Sequence, residues 1–350
     1  MGIIKRIVCT AIIILLFLMA CSCESADKSS ADYVIPDGAL VCEAYVADVY
    51  GGADAIVTII SDDGFYDSGC NLNELLVERD LRGTVAGAIK YVKPNIEGWN
   101  DILDDGHLEL VNHSYNHIRM EDGRLISYNY FALFHEIVDS DRWYEDTFGD
   151  EQIVFVCPEN TMCRLGYSIL EQNDFWAVRR GSRGYNSLSP EDGTEPGQWL
   201  NLMVQGICDD GVDTDTRNCW VDESVSQHLW LIEMWHNVMY DDDGFYQTIN
   251  VSEAADHLDY IELMENSGVI WNATFTEAVK YIREAQNSEV TAYIIDDSLH
   301  VFVSLTNENM QYDTFDQPLT VCILLEGEYS NDELIVIDVV PGQEEIIYLQ

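Results

Sequence analysis

Basic residues are scarce in this chain of 350 residues: Lys and Arg number 17 against 63 Asp and Glu, a formal net charge of −46. A surface with that imbalance repels nucleic acid, anionic lipid and other polyanions, and it favours neutral or cationic ligands. Long apolar runs are missing too. The most apolar stretch, "IVCTAIIILLFLMA" at 7–20, is shorter than the roughly 20 residues a membrane-spanning helix needs. No CxxC unit occurs among the ten cysteines, which argues against a zinc cluster. The acid-rich "CDDGVDTDTRNC" lacks the spacing of a calcium-binding helix-loop-helix and reads as a loop. What is present, 47% hydrophobic and 11% aromatic residues, excludes disorder for the whole chain and suffices for one large α/β domain plus a small second one.

At the N-terminus "MGIIKR" places two positive charges before the apolar run, and the run ends in small residues, the pattern of an export signal. The end of "LFLMAC" resembles a bacterial lipobox, with Met19 a mild departure; the resemblance implies a lipid on Cys21 and a lipoprotein of the bacterial cell envelope, outside the cytoplasm. Residues 1–20 are thus expected to be a signal peptide and 21–40 a polar tether. Export permits oxidation of the remaining cysteines. Cys157/Cys163 and Cys208/Cys219 are the pairs closest in sequence, but spacing does not fix the connectivity.

From about 41 to 285 short apolar runs alternate with helical patterns. "AIVTII" (55–60), "GTVAGAI" (83–89), "LELV" (108–111), "QIVFVC" (152–157) and "FWAVRR" read as strands with helices between them, which implies a parallel sheet or barrel. Ala254, Leu258, Ile261 and Met264 form one helical stripe stopped by Gly268, and Thr274 with Glu277 has capping-box spacing. After 286 the helical signal ends. Five strand-like runs follow, so 286–350 is expected to be a small all-β domain without catalytic residues.

Two features bear on chemistry. In "GHLELVNHSYNH" the spacing of four predicts that His113 and His117 share one helix face, suited to two imidazoles on one divalent ion. Alone, the pair fits a solvated helix face at least as well. A catalytic metal needs a third protein ligand, and "AIVTIISDDG" offers Asp62 and Asp63 directly after a strand, where α/β barrels gather their chemistry. Asp-Asp-Gly is equally good turn chemistry.

"ISDD" followed about fifty residues later by "HSYNH" resembles the first two motifs of the polysaccharide deacetylases, the NodB-homology domain of carbohydrate esterase family four. The resemblance spans about 50–285 and implies a distorted (β/α) barrel, with the all-β tail as an appendage. It implies Asp62 as general base, and Asp63, His113 and His117 as ligands of one divalent metal ion, most plainly zinc. "VCPEN" stands where the family has its proline motif but lacks that motif's arginine; Arg179 in "FWAVRR" is similar to an arginine some members carry later and would substitute. "LWLIEMWHNV" matches the closing L-x-H with Met234 for leucine, which makes His236 the general acid.

Amide hydrolysis needs an activated water, a stabilised oxyanion and a proton for the leaving amine. The backbone N–H of Glu159 is a candidate second oxyanion donor. The implied function is removal of N-acetyl, or O-acetyl, groups from a carbohydrate. Rival readings are a hydrolase of a non-sugar amide on the same scaffold, and a decayed deacetylase that binds glycan without cleaving it. "DDGFY" recurs at 242–246 and reads as a loop near the site rim, while Trp199, Trp220 and Trp235 are either sugar-stacking platforms or core.

Overall fold

The computed structural model describes residues 34–149, 152–191, 198–240, 246–325 and 334–349. The expected signal peptide, Cys21 and most of the tether lie outside them, as do residues 242–245 of the second "DDGFY". Residues 35–350 form one compact unit, and no helix among the described residues is long and apolar enough to cross a membrane.

Seven parallel strands close into a barrel: β1 (Ala55–Asp63), β2 (Gly83–Gly87), β3 (Leu108–Asn112), β4 (Val154–Val156), β5 (Ala177–Arg183), β6 (Leu202–Gly206) and β7 (Leu229–Trp235). Closure comes from β7 pairing with β1, Met234 opposite Ile60 and Trp235 opposite Ser61. The barrel is distorted because β8 (Ile270–Asn272) pairs with β1 at Ala55–Val57, whereas β2 pairs with its other half, Ile60–Asp63. Helices surround it: α1 (Tyr66–Val77), α2 (Ile96–Leu103), α3 (Ser140–Phe148), α4 (Arg164–Glu171), α5 (Thr214–Gln227), α6 (Val251–Asn266) and α7 (Phe275–Gln286).

Period two sorts the strand residues. Ile56 and Ile60 of β1 join Trp230, Ile232 and Met234 of β7 in the interior cluster, while Ala55, Val57 and Ile59 pack outward with Leu231 and Trp235 against the helices. Strands buried on both faces read as continuous apolar runs, as "AIVTII" does. Trp199 and Trp235 are fully buried core residues, so neither is a sugar platform, and Trp220 packs partly buried against the helix side. Ala254, Leu258 and Ile261 are buried along α6, Gly268 follows its end with φ 72°, and Thr274 caps α7 reciprocally with Glu277. The acid-rich 208–219 segment, expected to be a loop, is one only up to Asp213, which caps α5; Thr214–Cys219 form the first turns of that helix because the Asp213 carboxylate accepts from the Thr216 N–H.

The β region is not built from residues 286–350 alone. Its strands are β9 (Ser288–Ile295), β10 (Ser298–Leu305), β11 (Leu319–Leu324), β12 (Leu334–Val339) and β13 (Glu344–Tyr348). They form two sheets, and the segment before the barrel supplies an edge strand to each. Leu40–Val41 pairs with β9 and Glu43–Val46 with β11. One continuous apolar cluster runs from the barrel interior through Phe275, Val279 and Ile282 of α7 to Ile294, Leu299, Val321 and Ile323 between the sheets. The N-terminus of α7 lies at the start of β2, where the Phe275 N–H donates to Thr84 Oγ1 at 2.9 Å. The β-sandwich therefore covers the N-terminal end of the barrel and leaves the C-terminal mouth open.

Candidate metal centre

Strand parity delivers the side chains at the mouth. Asp62 continues the inward set of Ile56 and Ile60, Arg179 that of Ala177, and His236 that of Ile232 and Met234. The closing register puts His236 beside Asp62, one step beyond Trp235 and Ser61. Asp63 would face outward by the same rule, but its φ of 80° breaks the alternation and turns its carboxylate into the mouth. Gly64, at φ 84°, follows; a Cβ there would stand 2.8 Å from the Gly87 Cα of β2, so only glycine fits.

His113 and His117 do not share a helix. They lie in the loop after β3, where Ser114 and His117 have φ of 73° and 55°. The loop folds back because the Ser114 Oγ accepts from the His117 N–H at 2.9 Å and the Asn112 Oδ1 accepts from the Ser114 N–H at 2.9 Å. The ring centroids come to 4.9 Å. Spacing of four therefore meets through a short hydrogen-bonded loop instead of a helical turn.

One ligand atom each from Asp63, His113 and His117 lies within 4.8 Å of the others. Nε2 of His117 is 2.9 Å and Nε2 of His113 3.8 Å from Asp63 Oδ1. His113 Nδ1 bonds the Val156 carbonyl at 2.8 Å, which fixes its proton there and leaves Nε2 as a lone pair facing the site, the usual second bond of a metal-ligating histidine. Burial opposes the charge of Asp63, but the His117 hydrogen bond and the neighbouring imidazoles outweigh it and hold the carboxyl down at about 2. Burial pushes His113 down to about 4, so its imidazole is neutral at pH 7. An ionised carboxylate and a neutral imidazole are the forms a cation requires. Two nitrogens and one carboxylate oxygen are the donor set of many open zinc sites, and the residues fit such an ion. Among the described residues this is the one such group of three.

Asp62 is separate from that set. It is almost fully buried and ion-paired through Oδ1 to Nη2 of Arg179, which is itself fully buried. Arg179 also donates from Nη1 to Asn160 Oδ1 at 2.9 Å, so the guanidinium spans from the strand end to the loop after β4. That loop carries Pro158 and Glu159, the latter with φ 53°, and Glu159 and Asn160 line the cavity of about 360 Å³ that also holds Asp62, Asp63, His113, His117 and His236. The His236 carbonyl accepts from Ser61 Oγ at 2.8 Å and Ser68 Oγ at 3.3 Å, which anchors the backbone while the ring packs edge-on to Tyr246, centroids 5.2 Å apart. Nδ1 of His236 has no hydrogen-bond partner among the described residues.

Every predicted site residue lies at this mouth. Asn160, Ser61 and Ser68 were not read from the sequence as parts of it. Tyr246, the one described residue of the second "DDGFY", lines the cavity, in keeping with the rim position read for that segment. The seven described cysteines, Cys157, Cys163, Cys208 and Cys219 among them, are unbonded.

No family model and no curated protein matches the sequence. Solved structures do. A Mycobacterium smegmatis protein named as a polysaccharide deacetylase aligns over 71% of this chain and 96% of its own, with TM-score 0.52 and 13% identity. A family-four carbohydrate esterase from Streptomyces lividans, in complex with acetate, aligns over 66% and 93% at TM-score 0.41 and 15% identity. A variant, with restored enzymatic activity, of a family-four pseudoenzyme from Bacillus anthracis aligns over 66% and 69% at 0.45 and 16%. The architecture is a distorted (β/α) barrel with an open metal-type mouth. More particularly, its fold is that of the NodB-type polysaccharide deacetylases.

Proposed function

We propose that this chain is a metal-dependent hydrolase that removes acetyl groups from carbohydrate outside the cytoplasm, held to the membrane by a lipid on Cys21. The observation that carries the reading is the co-location, in one cavity, of a three-ligand group and two proton-handling side chains outside it. Asp63, His113 and His117 would hold one divalent ion, zinc by donor type. Bound there, the ion supplies Lewis acidity, which polarises the acetyl oxygen and lowers the pKa of water.

Asp62 takes the proton from the attacking water. Arg179 is its positioning residue, because the buried guanidinium fixes the carboxylate's direction through their ion pair, and Asn160 fixes the guanidinium. This is the office of the arginine missing before Pro158, performed from β5. His236, from the end of the strand next to that of Asp62, gives a proton to the departing nitrogen or oxygen, with Tyr246 limiting how its ring turns. The backbone N–H of Glu159, a residue that lines the same cavity, would serve the developing oxyanion.

Acetate release from acetylated chitin, peptidoglycan and xylan oligomers, measured beside metal content, tests the reading. Acetate release that disappears on metal removal and in Asp62→Asn supports it. A metal-loaded, folded protein that releases none from any polymer overturns it and leaves a glycan-binding protein.

A further inference from the structure

Ser114, Tyr115 and Asn116 separate the two histidine ligands, and what holds these three residues decides where the imidazoles stand. Ser114 and His117 both have positive φ, which an L-residue adopts at a conformational cost and keeps only where its surroundings over-determine it. On one side the segment after β2 does so: the Ile89 and Lys90 N–H groups donate to the Ser114 and Tyr115 carbonyls, both at 3.1 Å. The other side is held by a buried acid.

Glu136, 2% exposed, lies in a π-helical turn at His135–Asp139, within the helix that runs from Tyr130 to the end of α3. Its Oε2 accepts from the Asn116 N–H and its Oε1 from Asn116 Nδ2, both at 2.7 Å, so the two oxygens close on a single residue. Such lengths are those of hydrogen bonds to a carboxylate. The turn also presents main-chain acceptors to the same loop. The Glu136 carbonyl accepts from the Tyr115 N–H at 3.2 Å and the Ile137 carbonyl from Asn112 Nδ2 at 3.1 Å, while Ser140 Oγ donates to Asn112 Oδ1 at 2.9 Å. π-Helical turns are uncommon and recur at functional sites. Burying an acid is unfavourable unless hydrogen bonds compensate it, and here both side-chain bonds go to the residue directly before His117.

We propose that Glu136 is a positioning residue for the metal ligands: the π-helical turn fixes its carboxylate, the carboxylate fixes Asn116, and the loop thereby holds His113 and His117 at ligand separation before an ion arrives. The proposal rests on the metal-centre reading above. A ligand set held in place beforehand binds its ion more tightly, because less ordering is left to be done on binding.

Zinc affinity of the full chain, measured by competition with a chromophoric chelator and set beside Tm, tests it. In Glu136→Ala the zinc Kd is expected to rise about 10- to 100-fold, the usual effect of losing an outer partner of a metal ligand. Asn116→Asp sets a second carboxylate against Glu136 and should weaken zinc binding in the same direction. Combining Asn116→Asp with Glu136→Gln restores the wild-type net charge and both hydrogen bonds, since the new amide accepts from the same N–H and donates to the new carboxylate. The Kd should then return to the wild-type value. An unchanged Kd in either single variant, or a loss in Asn116→Asp that the double variant does not repair, overturns the positioning role, whatever the Tm. If Glu136→Ala does not fold, Asn116→Asp and the double variant decide alone. If the wild type takes up no zinc, the metal-centre reading fails, and amide hydrogen exchange at residue 116 then decides the clamp separately. Exchange that is slow in the wild type, fast in Asn116→Asp and slow again in the double variant keeps it; exchange that is fast in the wild type, or equal in all three proteins, removes it.

Discussion

At the mouth of the barrel Asp62 is buried and Asp63 half-buried against a guanidinium and two imidazoles, whereas at the opposite end Glu109 is half-buried and Glu284 buried against hydroxyls and backbone N–H groups. The consequences are opposite. Partners hold Asp63 down at about 2 despite its burial. Burial raises Glu109, which accepts from Thr84 Oγ1 at 2.7 Å and from the Thr276 N–H at 3.0 Å, and it pushes Glu284 up to about 8, with the Gln317 N–H at 3.1 Å. A buried acid that is to bind a cation or take a proton needs positive or polarisable neighbours that keep it ionised. A buried acid that only joins elements together, as Glu284 joins α7 to the sandwich, is cheaper to bury as the neutral carboxyl.

Four changes break or sharpen that contrast. The largest effect should come from ending the chain at Gln286. That deletes the partners of Leu40–Val41 and Glu43–Val46 and strips Val279 and Ile282 of cover, so the product is expected to be insoluble or unfolded by circular dichroism. A soluble, metal-loaded, active barrel from that truncation would show that the sandwich is dispensable.

Next is His117→Ala, expected to lose both bound metal and acetate release, read by elemental analysis and turnover. Metal content equal to the wild type would remove His117 from the ligand set.

Asp62→Asn should keep the metal while turnover falls by about 10²–10⁴, the usual worth of a general base. If it is Asp62→Asn that strips the metal, and Asp63→Asn does not, the two neighbours have exchanged roles.

The smallest effect belongs to Glu284. The fold favours its protonated form, so the contribution is intact below the ordinary value of 4.5 and is lost as the pH rises to about 8. Glu284→Gln keeps an acceptor for the Gln317 N–H and cannot ionise. It should raise Tm by several degrees at pH 8, at roughly 2–4 °C per kcal/mol for a large domain, and change it little at pH 4. Equal Tm shifts at both pH values would show that Glu284 titrates like an exposed acid.

Much of this was legible in the sequence because it is local. A strand buried on both faces is a run of apolar residues, and the acids at its end are the next letters, so "AIVTIISDD" showed both β1 and its two carboxylates. The pairing of His113 with His117 was also local, although a loop closed by Ser114 and Asn112 performs it where a helical turn was expected. Capping of α7 by Thr274 and Glu277 depends on residues three apart and needs no tertiary context.

Tertiary structure alone decided the rest. Which of two adjacent aspartates faces Arg179 depends on the positive φ of Asp63 and on the interior that β5 shares with β1. His236 lines the same cavity as Asp62 because β7 closes on β1 in one register; a shift by a single residue would turn it outward. Asn160 and Ser61 enter the site through contacts between distant segments that no spacing rule encodes. For the same reason the strands at 40–46 join a sandwich whose other strands begin near 288: a sheet edge accepts any extended segment that closure of the fold brings beside it. Residue order determines which side chains stand at a strand's end, and closure of the barrel determines which of them meet.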